Sequence, residues 1–288
     1  MCTGVGLHNG QNVRMVLKPA PVSTGIVFIR TDVKDRDNHI PMRVDAVCGV
    51  KNCTTLHNAA GVSVSTIEHF TAALAALGID NLRVELDNAE LPALDGSSEP
   101  FFNLIKQVGI ESQAAPRRYV KVLKTLHIVH GGSEASIMPA DRLSLDVTID
   151  FDDAAIGRQN IYITPDERSF RDSLAGARTF ARAHELQALK QAGLSQGGSL
   201  ANAILVDGDK IVNPEGLRFS DEFVRHKALD LLGDIYLGGP IIGHIKTVRA
   251  GHKINHALLL ALYSDPMAWE FVTLMDSQEP TMLDSVSA

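Results

Sequence analysis

Apolar and polar positions alternate through residues 11–18, 25–30 and 81–86, the period of strands with one buried face. Between the second and third, Ile67, Phe70, Leu74 and Leu77 recur at intervals of three and four, which predicts an amphipathic helix over residues 66–77. Ser65 and Thr66 suit its N-cap and Gly78 its C-cap. A polar stretch over 111–119 containing Pro116 predicts a domain boundary. Strand patterns return at 119–123, 135–138 and 143–150, the main helical pattern covers 219–236, and an apolar strand is predicted at 241–245. Each side of the boundary thus reads as strands, a helix with a histidine near its start, a glycine and a further strand. The expectation is an α+β fold of two similarly built domains, 1–113 and 117–275, each a two-layer β-α-α-β sandwich, with a site between them. Residues 184–216 read as an insertion, with a helical pattern at 185–192, a turn at Gly197-Gly198 and a strand at 203–206. The tail, 276–288, is polar and reads as loose.

Composition narrows the class. A chain of 288 residues exceeds the usual single core, in keeping with two domains. With 45% hydrophobic and 21% charged residues it reads as an ordinary soluble protein. A net charge of -7 provides no overall basic field, which argues against nucleic acid as a main partner, so an anionic ligand needs a local basic cluster. No apolar run reaches the about 18 residues of a membrane span, and the first residues lack the pattern of a signal peptide. Cys2, Cys48 and Cys53 are too irregularly placed for a disulfide framework or a Cys-rich zinc site, which suits a reducing, cytoplasmic setting.

The candidate chemistry lies on the helical segments. His226 and Asp230 stand one turn apart, about 5–6 Å at Cβ, so an imidazole and a carboxylate can converge on one divalent ion. The competing reading is a solvated polar stripe through Glu222, His226, Asp230 and Asp234. Glu68 and His69 begin the first helix and diverge by about 100°, so one can bind a metal while the other reaches water. His252, after Gly251, is a candidate acid or oxyanion partner. It also forms a rival i, i+4 pair with His256, but no carboxylate lies near, and His256 reads as the start of a helix over 257–262.

Thr3-Gly-Val-Gly-Leu-His8, Cys53-Thr-Thr-Leu56, Ser65-Thr-Ile-Glu-His-Phe70, Ala76-Leu-Gly-Ile-Asp-Asn81, Leu94-Asp-Gly-Ser97, Ala177-Arg-Thr-Phe180, His226-Lys-Ala-Leu-Asp-Leu-Leu-Gly-Asp234 and Gly251-His252 occur in an ordered set. This set resembles the UDP-3-O-acyl-N-acetylglucosamine deacetylases, zinc enzymes of lipid A biosynthesis, nearly end to end. The resemblance implies that His69, His226 and Asp230 hold the metal, with Glu68 as general base and His252 as general acid. It further implies that Asp234 orients His252, Thr179 donates to the oxyanion and Lys227 contacts the polar part of the substrate; a snorkelling surface lysine is the bland alternative for Lys227. His8 and Phe180 match positions lining the nucleotide-sugar site, and Leu194, Gly198 and Ala203 fall in the part that forms the acyl passage, though ordinary packing would explain those three equally. The expected cofactor is Zn²⁺, with Fe²⁺ suited to the same donors. The expected partner is the UDP-3-O-acyl-N-acetylglucosamine substrate, and a monomer is expected. A zinc amidohydrolase of the same fold on another N-acyl sugar, or a non-catalytic metal-stabilised binding protein, are the alternatives. Two departures stand out. An opening strand usual in relatives is missing before Met1-Cys2, and Asp153-Ala154 replace a common His-Pro.

Overall fold

The computed structural model describes residues 1–273. The expected loose tail, and residues 274–275, lie outside the described residues.

The first half opens with a hairpin of β1 (Cys2–Val5) and β2 (Asn12–Pro19) and a second of β3 (Ile26–Arg30) and β4 (His39–Pro41). A small antiparallel sheet of β5 (Val47–Gly49), β6 (Thr55–His57) and β7 (Ser63–Ser65) leads into helix α1 (Glu68–Leu77). Strand β8 (Leu82–Leu86) then enters between the hairpins, antiparallel to β2 and parallel to β3, and helix α2 (Glu99–Val108) follows. The sheet order is β1-β2-β8-β3-β4.

The second half repeats this plan. After β9 (Arg118–Val122) come the hairpins β10 (Leu126–His130) with β11 (Ser133–Met138) and β12 (Ser144–Asp150) with β13 (Arg158–Ile163). Helix α3 (Glu167–Ser173), β14 (Phe180–Arg182), α4 (Ala183–Gln191), β15 (Ile204–Asp207) and β16 (Lys210–Ile211) precede the long helix α5 (Glu222–Ile235). Then β17 (Ile241–Ile242), β18 (His244–Val248), α6 (His252–Ser264) and β19 (Trp269–Thr273) complete the described chain. The sheet order β10-β11-β18-β12-β13, with β18 antiparallel to β11 and parallel to β12, reproduces the first sheet strand for strand. The α+β class and the similarity of the halves are borne out, and α1 and α5 occupy equivalent places.

Alternation decides which face packs. Val13 and Met15, Ile26 and Phe28, and Val84 and Leu86 are buried at alternate positions of β2, β3 and β8. Phe28 meets Phe70 of α1 edge-on at 6.3 Å, and Phe70 meets Phe101 of α2 at 5.5 Å. In the other half α5 packs on β12 and β13, and α6 on β10 and β11. Helices α1 and α5 pack on each other, so the helical layers meet with the sheets outside. Burying each large apolar side chain contributes about 1.5–3 kcal/mol.

Three local expectations need correction. Thr66 does not cap α1: its φ is 57° and its hydroxyl donates to Glu90 Oε1 at 2.9 Å, so Ile67 is the N-cap and makes no side-chain cap bond. The C-cap is as expected, with Gly78 left-handed at φ 67° and its N–H donating to Leu74 and Ala75 carbonyls. The apolar run 241–245 is not one strand. It breaks at Gly243 into β17, which pairs with β9, and β18, which joins the large sheet, because two sheets compete for one apolar segment. Finally, α6 begins at His252, not at His256.

Candidate metal centre and active site

The site depends on how closely α1 and α5 approach. A Cβ on Gly233, inside α5, would lie 2.0 Å from the Glu68 carbonyl oxygen, and the Thr71 hydroxyl donates to the Gly233 carbonyl at 3.1 Å. Glycine in a helix interior costs about 0.5–1 kcal/mol relative to alanine. Here it permits the contact that sets the first turn of α1 against α5.

That contact brings together residues 157 positions apart in sequence. Nε2 of His69 and Nε2 of His226 each lie 3.5 Å from Asp230 Oδ1, and the two rings sit edge to face at 4.9 Å. The three donor atoms lie within 4.8 Å of one another, the one such group of three among the described residues. Asp230 Oδ1 is buried without a hydrogen-bond partner, which marks the point where a cation would satisfy it. His226 Nδ1 donates to the Ala177 carbonyl at 3.1 Å, leaving the Nε2 lone pair free. Burial pushes the His226 pKa down to about 3 against the pull of Asp230, so its imidazole is neutral. Burial works to raise the Asp230 pKa, but His226 and Lys227 outweigh it and hold the carboxyl well below the usual range. Two imidazoles and a carboxylate fit a divalent cation and leave coordination positions open. The solvated-stripe reading is overturned, because Glu222, His226, Asp230 and Asp234 are all buried.

A second cluster flanks the first. Glu68 accepts from the Thr54 N–H at 3.1 Å on Oε2 and presents Oε1 to His252 Nε2 at 3.9 Å. Burial raises the Glu68 pKa, opposed by His252 and His69. His252 Nδ1 donates to Asp234 Oδ2 at 2.8 Å, and Asn255 Nδ2 donates to the same oxygen at 2.9 Å. Burial disfavours the imidazolium, but Asp234 and Glu68 outweigh it and carry the His252 pKa up to about 10. A proton acceptor and a proton donor therefore face each other beside the three-donor cluster. The rival pair does not form a site: His256 Nε2 donates to the Val44 carbonyl at 3.0 Å.

One cavity of about 940 Å³ holds the remaining predicted residues. Lys227 lies on its wall and does not snorkel outward; Nζ donates to Asp230 Oδ2 at 2.8 Å and sits 5.6 Å from the Phe180 ring centroid. Phe180 also packs edge-on against Phe223 at 5.0 Å. Thr179 is pinned by its backbone, N–H to the Gly96 carbonyl and C=O from the Ile204 N–H, both at 2.8 Å. Leu194, Gly198 and Ala203 line the part formed by α4 and the following loop. That loop docks on the opening hairpin: Gln196 and Gly197 donate to the carbonyls of His8 and Leu7 at 3.0 and 3.1 Å. His8 is thereby held at the cavity lining, with its N–H on Glu90 and its buried Nε2 unpartnered. Lys51, Arg249 and Lys253 also line the cavity and give it basic side chains of the kind an anionic ligand requires.

Sequence reasoning missed Thr54, Glu90 and Asn255, whose partners lie far along the chain or on another helix. Glu90 accepts from the His8 and Asn9 N–H groups and from the Thr66 hydroxyl. The Asp153 departure also acquires a structural account, because its buried carboxylate pairs with Arg182 at 3.3 Å at the root of α4.

The profile of the UDP-3-O-acyl N-acetylglycosamine deacetylase family matches residues 1–264. A Phenylobacterium zucineum (strain HLK1) protein named UDP-3-O-acyl-N-acetylglucosamine deacetylase is 48% identical over 274 residues, covering 95% of this chain and 94% of that protein. Proteins of the same name from Pseudoalteromonas atlantica (strain T6c / ATCC BAA-1087) and Myxococcus xanthus (strain DK1622) are each 46% identical. They cover 96% and 93% of this chain, and 92% and 85% of their own lengths. The doubled fold, the triad between its two central helices and these matches lead to one assignment: the chain belongs to the UDP-3-O-acyl N-acetylglycosamine deacetylase family.

Proposed function

We propose that this protein removes the acetyl group from the 2-amino position of UDP-3-O-acyl-N-acetylglucosamine, releasing acetate and UDP-3-O-acyl-glucosamine, an early step of lipid A biosynthesis. The observation that carries the reading is the pairing of an open three-donor cluster with Glu68 and His252, 3.9 Å apart on the wall of one cavity. His69, His226 and Asp230 would hold the cation, Zn²⁺ in this reading, although two imidazoles and a carboxylate suit Fe²⁺ as well. When bound, such an ion polarises the amide carbonyl and acidifies water.

The chain's own groups do the rest. Glu68, its pKa raised by burial, takes a proton from the attacking water. His252 carries its transferable proton on Nε2, because Nδ1–H is engaged by Asp234, and gives it to the departing amine. The Thr179 hydroxyl and the His252 imidazolium stabilise negative charge on the tetrahedral carbon's oxygen. Lys227 binds the polar part of the substrate, His8 and Phe180 face the sugar nucleotide, and Lys51, Arg249 and Lys253 supply charge for its diphosphate. Leu194, Gly198 and Ala203 line the acyl passage. The proposed working unit is a monomer. Among the described residues no helix is long and apolar enough to cross a membrane, and we place the enzyme in the cytoplasm.

A non-catalytic metal-stabilised protein would have no use for an acid facing an imidazole beside open coordination positions. The test is acetate release from the nucleotide sugar by metal-loaded protein, with Glu68→Ala alongside. The variant should keep its metal and lose roughly a hundred- to ten-thousandfold in turnover. Full activity in metal-loaded Glu68→Ala protein would sink the mechanism.

A further inference from the structure

Thr54 precedes β6, 14 residues from Glu68 and 180 from Asp234, yet it is hydrogen-bonded to both. It is 1% exposed. Its backbone N–H donates to Glu68 Oε2 at 3.1 Å, and its hydroxyl donates to Asp234 Oδ1 at 2.6 Å. Asp234 therefore accepts on both oxygens: Thr54 on Oδ1, and His252 and Asn255 on Oδ2. A carboxylate gripped on both oxygens cannot rotate about its terminal bond without losing a partner. Its hold on the His252 ring then depends on the donor at Oδ1. Because one residue of the first half supplies donors to both arms, the spacing of Glu68 and His252 follows from its position.

We propose that Thr54 is a positioning residue for the deacetylation, fixing the Asp234–His252 pair through its hydroxyl while its backbone amide fixes Glu68. The inference rests on the acid–base roles given above. Removing the hydroxyl leaves Asp234 Oδ1 buried without a donor, whereas the amide contact to Glu68 persists in any variant but proline.

The side chain is tested by Thr54→Val, which keeps the branched shape, and Thr54→Ser, which restores the hydroxyl. Thr54→Val should lower kcat roughly ten- to a hundredfold with KM and bound metal unchanged, and Thr54→Ser should recover most of it. In a His252→Gln background the same change should cost little more, since the group it positions is gone. The low-field imidazole N–H resonance of His252, assigned by its loss in His252→Gln, should move in Thr54→Val and return in Thr54→Ser. An unmoved resonance, an unchanged kcat, or an equal fold-loss in both backgrounds overturns the proposal. Should Thr54→Val fail to fold, Thr54→Ala takes its place under the same criteria. If wild-type protein releases no acetate from the nucleotide sugar, the functional reading fails, and the resonance alone still decides whether Thr54 positions His252.

Discussion

Gly233→Ala sets two effects of opposite sign against each other. In an isolated helix the change is favourable by about 0.8–1 kcal/mol, since alanine loses less backbone entropy. In this protein the added Cβ would stand 2.0 Å from the Glu68 carbonyl oxygen, 2.8 Å from its carbon and 2.9 Å from Thr71 Oγ1. Two of those atoms are backbone of α1 and cannot swing aside. Ordinary contact needs about 3.5 Å, so the two helices must separate locally by about 1–1.5 Å. Overpacking of this kind costs about 1–3 kcal/mol, with a backbone clash at the upper end, so a net loss of about 2 kcal/mol is expected. For a chain of this size that lowers Tm by roughly 4–8 °C. The same separation pulls His69 from Asp230, now 3.5 Å apart, and displacement of about 1 Å in an active site can cost a hundredfold in rate. Thermal unfolding, metal titration and turnover would be measured beside Gly176→Ala, whose Cβ would meet nothing nearer than 3.6 Å. A Gly233→Ala protein that melts higher than wild type and binds metal and turns over normally would refute the argument that this glycine sets the site.

The His252 pKa of about 10 predicts a pH signature in both activity and stability. His252→Gln should flatten the alkaline limb of the kcat profile, and a profile that keeps both limbs would remove His252 from the proton inventory. Its folded pKa lies above the unfolded value of about 6.5. Its stabilising contribution is therefore complete below that pH and is lost as pH rises through about 10, which unfolding of wild type and His252→Gln across this window would reveal. If Gly198 lines the proposed acyl passage, Gly198→Phe should cut turnover of the acylated substrate by orders of magnitude with metal content and Tm intact. Each methylene shut out forfeits about 0.8 kcal/mol, and a folded, metal-bound variant that still discriminates for the chain as before would place the passage elsewhere.

Much of this protein was legible along the chain, for reasons local to each segment. The alternation of Val13, Met15, Ile26, Phe28, Val84 and Leu86 marks strands with one buried face, and the spacing of Ile67, Phe70, Leu74 and Leu77 marks α1. The i, i+4 interval of His226 and Asp230 places two candidate metal donors on one side of α5 whatever the rest of the chain does. The ordered motifs identified the family. Local signals failed where the outcome depended on competition between distant partners. Thr66 looks like a cap but is claimed by Glu90, and the run 241–245 looks like one strand but is divided between two sheets.

By itself, then, the sequence determined the periodicities, the helical His–Asp pair and the repeated order of elements, because each follows from intervals of a few residues along a regular backbone. Only the tertiary structure decided that Glu222, Asp230 and Asp234 are buried and not a solvated stripe, since burial depends on what packs against the helix. It also decided that Thr54 would join Glu68 to Asp234, and that His8 would be held by Glu90 and the loop after α4. The Thr54–Asp234 contact and the docking of the loop on His8 cross between the halves of the fold. The approach of Glu68 to α5 further requires that residue 233 carry no side chain, a condition no interval along either helix can express.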